Sequence, residues 1–159
     1  MIDIEVEDSA WTTALPDAQS LVHIAVEAAL EACPAARGRS SGLTILLTND
    51  AIVRDLNARF RSEDTATNVL SFPSAPNPEN HLGDIALAHQ VCAREAAEQG
   101  KSLAHHLQHL TIHGVLHLLG YDHIGDDEAE AMEDLERMVL ARLGVSDPYL
   151  SSQGEHDRP

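Results

Sequence analysis

The stretch TIHGVLHLLGYDH, residues 111–123, limits what this chain can fold into more than any other segment. It closes the longest apolar helical pattern in the sequence, residues 102–119. His113 and His117 stand four residues apart on that pattern. Four helical residues turn the chain through about 400°, so two such rings share a face, offset by about 40°. Gly120 then supplies a residue able to leave the helix in a left-handed conformation. After that turn, His123 can swing back to the same point in space. A helix, a break and a return are needed in that order, and the sequence supplies each.

Three neutral imidazoles leave a bound cation its full charge and one open position, the plan of a catalytic zinc site and not of a closed structural one. The expectation is one Zn2+ per chain, held by His113, His117 and His123, with water or substrate in the fourth place. The order His-x3-His-x2-Gly-x2-His matches the metzincin peptidase pattern with one difference. Gly114 stands where those peptidases carry the glutamate that takes a proton from metal-bound water. Peptide hydrolysis then lacks its acceptor. A phosphodiester needs less help, because a metal hydroxide or a neighbouring RNA 2′-OH can attack while the metal carries the developing charge. The competing reading is a histidine-rich polar stripe, since the chain has ten histidines and His105, His106 and His109 precede the motif. His105 and His106 read as solvated. His109 reads as a local hydrogen-bonding residue, with a place behind the ligands as the alternative.

The rest of the chain suits one compact domain over residues 1–145, followed by a polar tail over 146–159. Hydrophobic residues make up 43% and aromatics only 3%, so the core must be built from Leu, Val, Ile and Ala. Ile2, Ile4 and Val6 alternate with acidic residues, as in a half-buried strand. A helix follows from Pro16 and Asp17 to about Ala32, ended by Pro34 and Gly38. Residues 43–48 read as a buried strand, and Asn49 or Asp50 can cap a helix over the next ten residues. Strands over 68–72 and 82–88, joined by a proline-rich loop, can form a hairpin. Helices are predicted over 89–99, 102–119 and 126–143. The fold class is therefore α+β: a small mixed sheet of about four strands with about five helices, the metal site lying on the long helix and the turn after it.

Charge narrows the partners. There are 26 acidic and 10 basic residues, a formal net charge of −16. Such a charge argues against loose, whole-surface binding of nucleic acid but leaves room for a local basic patch, because screening confines attraction to about 8 Å in physiological salt, so any polyanion must be met locally. Arg54, Arg59 and Arg61 place three of the ten basic residues within eight positions, and Thr65, Thr67, Asn68 and Ser71 follow. Arginine forks suit phosphate, and hydroxyls and amides suit backbone or sugar. The plainer alternative pairs these arginines with Asp55, Glu63 and Asp64. Phe60 and Phe72 read as core residues, with base-stacking platforms as the alternative. The acidic run 126–136 reads as the first half of a helix with Met132, Leu135 and Val139 buried, and with no catalytic role. Asp84 and Asp122 read as strand-end or turn residues, with orientation of a ligand histidine as the alternative. Cys33 and Cys92 read as reduced, half-buried thiols. No signal peptide or membrane-spanning run is evident, so a cytoplasmic protein without a membrane partner is expected.

LNARFRSEDTATNVLSFP, HLGDIALA and HHLQHLTIHGVLHLLGYDH together closely resemble the YbeY family of bacterial endoribonucleases of rRNA maturation, over about residues 43–143. The resemblance implies a small α+β domain with a metal-bearing cleft. It implies a metal-dependent, single-strand-specific endoribonuclease of 16S rRNA 3′-end maturation and ribosome quality control. It makes His113, His117 and His123 the metal ligands and implicates Arg61 in activity. The implied partners are single-stranded regions of rRNA precursors and the ribosome or its small-subunit proteins. Members usually read Asp-Lys-Pro-Thr where this chain has Asp64, Thr65, Ala66 and Thr67. A positive charge and a rigid turn are thus missing beside the expected substrate face. Two alternatives stand beside this reading. One is a non-catalytic, zinc-containing ribosome assembly factor, for which the net charge of −16 suits basic ribosomal proteins. The other is a metallopeptidase, against which Gly114 counts.

Overall fold

The computed structural model describes residues 2–33, 42–121 and 125–148. The elements run β1 (Ile2–Val6), α1 (Ala10–Ala14), α2 (Ala18–Ala32), β2 (Gly42–Thr48), α3 (Asp50–Arg61), β3 (Val69–Pro73), β4 (His81–Ala88), α4 (His89–Gln99), α5 (Leu103–Leu118) and α6 (Asp126–Arg142). The fold is α+β, with one mixed sheet in the order β1-β2-β4-β3. β1 and β2 are parallel, with Ile4 beside Ile45, and β2 and β4 are parallel, with Ile45 beside Ile85. β3 returns antiparallel to β4 as the expected hairpin, Val69 opposite Leu87 and Pro73 opposite Gly83. A proline at the end of an edge strand costs no ladder bond.

Alternation on the strands divides the core. Leu43, Ile45, Leu47, Ile85 and Leu87 meet α2, α5 and α6 on one face, where Val22, Val26, Ile112, Leu116, Met132 and Leu140 close the packing. On the other face Leu70, Ala86 and Ala88 meet Val53 of α3 and Val91 of α4, with Phe72 half-buried at the margin. Helix α5 is covered on most sides, which explains its apolar run. Its start is set by Ser102, whose hydroxyl accepts from the His105 amide at 3.1 Å. The start of α3 is set by Asn49, whose side chain accepts from the Ile52 amide at 2.9 Å.

Several expectations are corrected. There are six helices among the described residues, because the short α1 escapes any periodicity test; it is anchored by buried Trp11, whose indole donates to the Thr48 carbonyl at 2.9 Å. Cys33 and Cys92 are fully buried free thiols, not half-buried ones, and burial raises the pKa of both. His106 is 3% exposed instead of solvated, because it turns inward to Glu95 at 2.9 Å. Phe60 is 64% exposed and outside the core, because its only ring neighbour among the described residues, Phe72, lies on the edge strand. The residues expected to end α2, Pro34 and Gly38, lie outside the described residues, as does the tail from 149 onward. No described helix is long and apolar enough to cross a membrane.

Candidate active site

Helix α5 presents His109, His113 and His117 on successive turns. Nε2 of His113 and Nε2 of His117 lie 3.1 Å apart. Two nitrogens on one tetrahedral ion at zinc–nitrogen distance sit about 3.3–3.4 Å apart. The pair therefore stands within a few tenths of an ångström of chelating separation, and the residues fit a divalent cation. The helix then ends as the sequence leads one to expect. Gly120 takes φ +103°, its amide reaches the His117 carbonyl at 3.0 Å, and the Tyr121 amide reaches Leu116 at 3.0 Å. Asp122 and His123 lie outside the described residues. Among the described residues no set of three histidine, cysteine or carboxylate side chains converges as a metal site. His113 and His117 are thus two of the three expected donors.

Behind them stands a residue that the sequence reading passed over. Glu136 of α6 is fully buried. Its Oε2 lies 2.6 Å from Nδ1 of His113, and its Oε1 lies 2.9 Å from Nε2 of His109. A carboxylate only accepts, so His113 donates from Nδ1 and turns the Nε2 lone pair toward His117. Burial alone would raise the carboxyl pKa, but hydrogen bonds from both histidines bring it down to about 2. The group is ionised at neutral pH. A signal for it did exist: Met132, Glu136, Val139 and Leu140 share the inward stripe of α6, so a glutamate falls on a face otherwise apolar. His109 is joined to His113 through this carboxylate.

Gly114 faces the sheet. A Cβ built there would stand 3.0 and 3.1 Å from two atoms of Ile85 and 3.2 Å from the Ser71 hydroxyl. The Ser71 hydroxyl also donates to the Gly114 carbonyl at 3.3 Å. The position that holds a peptidase's proton acceptor is occupied here by a close helix–sheet contact, where even a Cβ would press on Ile85 and Ser71.

The histidine pair opens onto a cleft of about 550 Å³ whose walls include Arg61, Thr67, Asn68, Ser71 and Tyr121. The three arginines separate clearly. Arg54 is held by Asp64 in a two-pronged pair at 2.7 and 3.0 Å, and Arg59 by Asp55 at 3.1 Å. Arg61 has no carboxylate partner among the described residues. It leaves α3 at the last turn, where Ser62 ends the helix with φ 59°, and donates to the Ser71 carbonyl at 2.5 Å. The loop over residues 62–68 is fastened by side chains. Arg54 holds Asp64, and the buried Asn57 amide donates to the Thr65 carbonyl at 3.0 Å. Asp84 is exposed beside His81 at 3.1 Å and does not line the cleft, as expected of a strand residue.

Comparison with known proteins follows the same lines. The family model described as Endoribonuclease YbeY matches residues 3–144. A protein named Endoribonuclease YbeY from Maricaulis maris is 53% identical over 93% of this chain and 91% of its own. Another of that name, from Azorhizobium caulinodans, is 47% identical over 93% of this chain and 95% of its own. The solution structure of TM1509 from Thermotoga maritima has the same fold, with a TM-score of 0.55 at 24% identity, covering 94% of this chain and 99% of that one. A family match over nearly the whole chain, relatives near half identity and a cleft formed by the motif residues lead to one conclusion: this chain belongs to the endoribonuclease YbeY family.

Proposed function

We propose that this protein is a metal-dependent endoribonuclease that cleaves single-stranded regions of rRNA precursors in the cytoplasm, acting in 16S rRNA 3′-end maturation and ribosome quality control. One observation carries the proposal: Arg61 and the His113–His117 pair line the same cleft. A phosphodiester between them meets a fixed cation on one side and paired ring nitrogens on the other.

His113 and His117, joined by His123, would hold the cation, and zinc suits an all-imidazole donor set. When bound, such an ion supplies Lewis acidity toward a phosphoryl oxygen and a water of lowered pKa. The chain's own residues supply the rest. Arg61 grips the scissile or adjacent phosphate through its guanidinium fork. Glu136 holds the His113 ring with its Nε2 lone pair directed to the cleft. Thr67 and Asn68 offer polar groups to the sugar and backbone of the strand. Gly114 favours this reading over peptidase chemistry, since glycine brings no proton-accepting side chain and its surroundings already crowd a Cβ.

The acidic exterior sets the terms of binding. With a net charge of −16, RNA is attracted only where Arg61 and its surroundings meet it, and basic small-subunit ribosomal proteins are the complementary partners. The test is cleavage of a single-stranded oligoribonucleotide by the zinc-loaded protein, lost on chelation and restored by metal. End-group analysis of the products assigns the nucleophile. A 2′,3′-cyclic phosphate marks attack by the RNA 2′-OH, and a 3′-OH with a 5′-phosphate marks attack by water. Cleavage that survives complete removal of metal would overturn the proposal.

A further inference from the structure

Phe60 is the most exposed large hydrophobic side chain among the described residues. It stands in the last turn of α3, one residue before Arg61. Its ring meets Phe72 edge-on, with centroids 5.7 Å apart and planes at 65°. Phe72 belongs to β3, the edge strand, so no further strand of the sheet covers the pair. The Arg59 guanidinium lies 5.7 Å from the Phe60 centroid, and that of Arg61 lies 5.5 Å from the Phe72 centroid. Arg61 also donates to the Ser71 carbonyl and lines the cleft. One side chain thus joins the aromatic pair to the cleft.

The division of labour between the two rings is informative. Phe72 packs against the cluster formed by Leu70, Ala86 and Val53 and does structural work. Phe60 keeps most of its surface in water and adds little to that cluster. An aromatic ring left in water beside the Arg59 guanidinium, with Arg61 on the adjoining Phe72 ring, matches the chemistry of a single-stranded nucleic acid, whose bases stack on such rings while its phosphates meet arginine. A second copy of this chain fits poorly, because two bodies of charge −16 repel.

We infer that Phe60, backed by Phe72, with Arg59 beside it and Arg61 against Phe72, is a nucleobase-stacking subsite. It takes the base of a nucleotide neighbouring the one whose phosphate sits at Arg61. The inference rests on the proposed nuclease reading and adds to it where the strand goes when it leaves the cleft: over the β3 edge onto α3. Because stacking uses the face that every base possesses, the subsite selects for an unpaired base and not for a particular sequence.

The test uses single-stranded oligoribonucleotides carrying 2-aminopurine at successive positions, mixed with the zinc-loaded protein and with its Phe60→Ala and Phe60→Trp variants. Wild type should quench the fluorescence of one position near the cleavage point. Phe60→Ala should lose that quench and raise Kd and KM by about tenfold, while Phe60→Trp restores both. An abasic nucleotide at the quenched position should weaken wild type by a similar factor and leave Phe60→Ala unaffected. The melting temperature of Phe60→Ala should stay near that of wild type. A Phe60→Ala protein that cleaves RNA with wild-type KM and full quench would overturn the subsite and leave the nuclease reading standing. A wild-type protein that neither binds nor cleaves the oligonucleotides would overturn both.

Discussion

Nδ1 of His113 lies 2.6 Å from Oε2 of Glu136, a carboxylate wholly screened from solvent. The contact brings α6 into the site, although no residue of α6 faces the cleft. It fixes which nitrogen of His113 carries the proton and how the ring is turned. Glutamine at 136 can offer an acceptor to only one of His109 and His113, since its other terminal group donates. Glu136→Gln should therefore weaken zinc binding by about 10- to 100-fold, measured by competition with a chromogenic chelator. Unchanged affinity in a folded Glu136→Gln protein would remove α6 from the account.

Arg61 is set apart from its neighbours by the lack of a carboxylate partner among the described residues. Arg61→Ala should lower kcat/KM on single-stranded RNA by about 10- to 100-fold, the range for losing a charge-assisted hydrogen bond. Arg61→Lys should recover only part of this, because an ammonium cannot present a planar fork. Arg54→Ala, which breaks an exposed pair with Asp64, should have a much smaller effect. Equal losses at the two positions would mean that both act through general charge.

Gly114→Ala tests the helix–sheet contact. Helix propensity alone favours alanine by about 1 kcal/mol. Contacts of 3.0–3.2 Å to Ile85 and Ser71 oppose it, and overpacking of this kind costs about 1–3 kcal/mol. The net outcome should be a lower melting temperature, and Gly114→Glu should fall further without gaining turnover of any peptide. A stabilised Gly114→Ala protein would show that the contact has slack.

His106 supplies a pH dependence. Burial lowers its pKa, and the hydrogen bond to Glu95 opposes this only in part. The unfolded chain therefore binds more protons at this site than the folded one once pH drops below about 6.5. Stability is full above that pH and should be lost progressively as pH falls through it. Denaturant unfolding at a series of pH values should show a shallower decline below about 6.5 in His106→Gln than in wild type. Identical slopes would assign the decline to other groups.

Much of this architecture is legible in the sequence because the deciding patterns are local. Alternation at Ile2, Ile4 and Val6 marks a strand, and the spacing of His113 and His117 marks a shared helical face. The features that escaped depend on what lies opposite. Glu136 closes an acidic run that reads as the first half of a helix with no catalytic role, and only the histidines across from it make it part of the site. Phe60 is spaced to share the inward side of α3 with Val53 and Asn57, which points to the core. It stays exposed because Phe72 beneath it is on the last strand of the sheet. The family resemblance singles out Arg61, but the residues alone left all three arginines open to pairing, and only the fold shows that Arg54 and Arg59 reach carboxylates at separations of ten and four residues.

The central claim is that the cleft lined by the His113–His117 pair and Arg61 is where RNA is cut. The most direct measurement is the rate of single-stranded RNA cleavage by the folded His113→Ala, His117→Ala double variant, freed of metal, beside zinc-loaded wild type. The account predicts cleavage by wild type and none above background by the variant. Undiminished cleavage by the variant would contradict it.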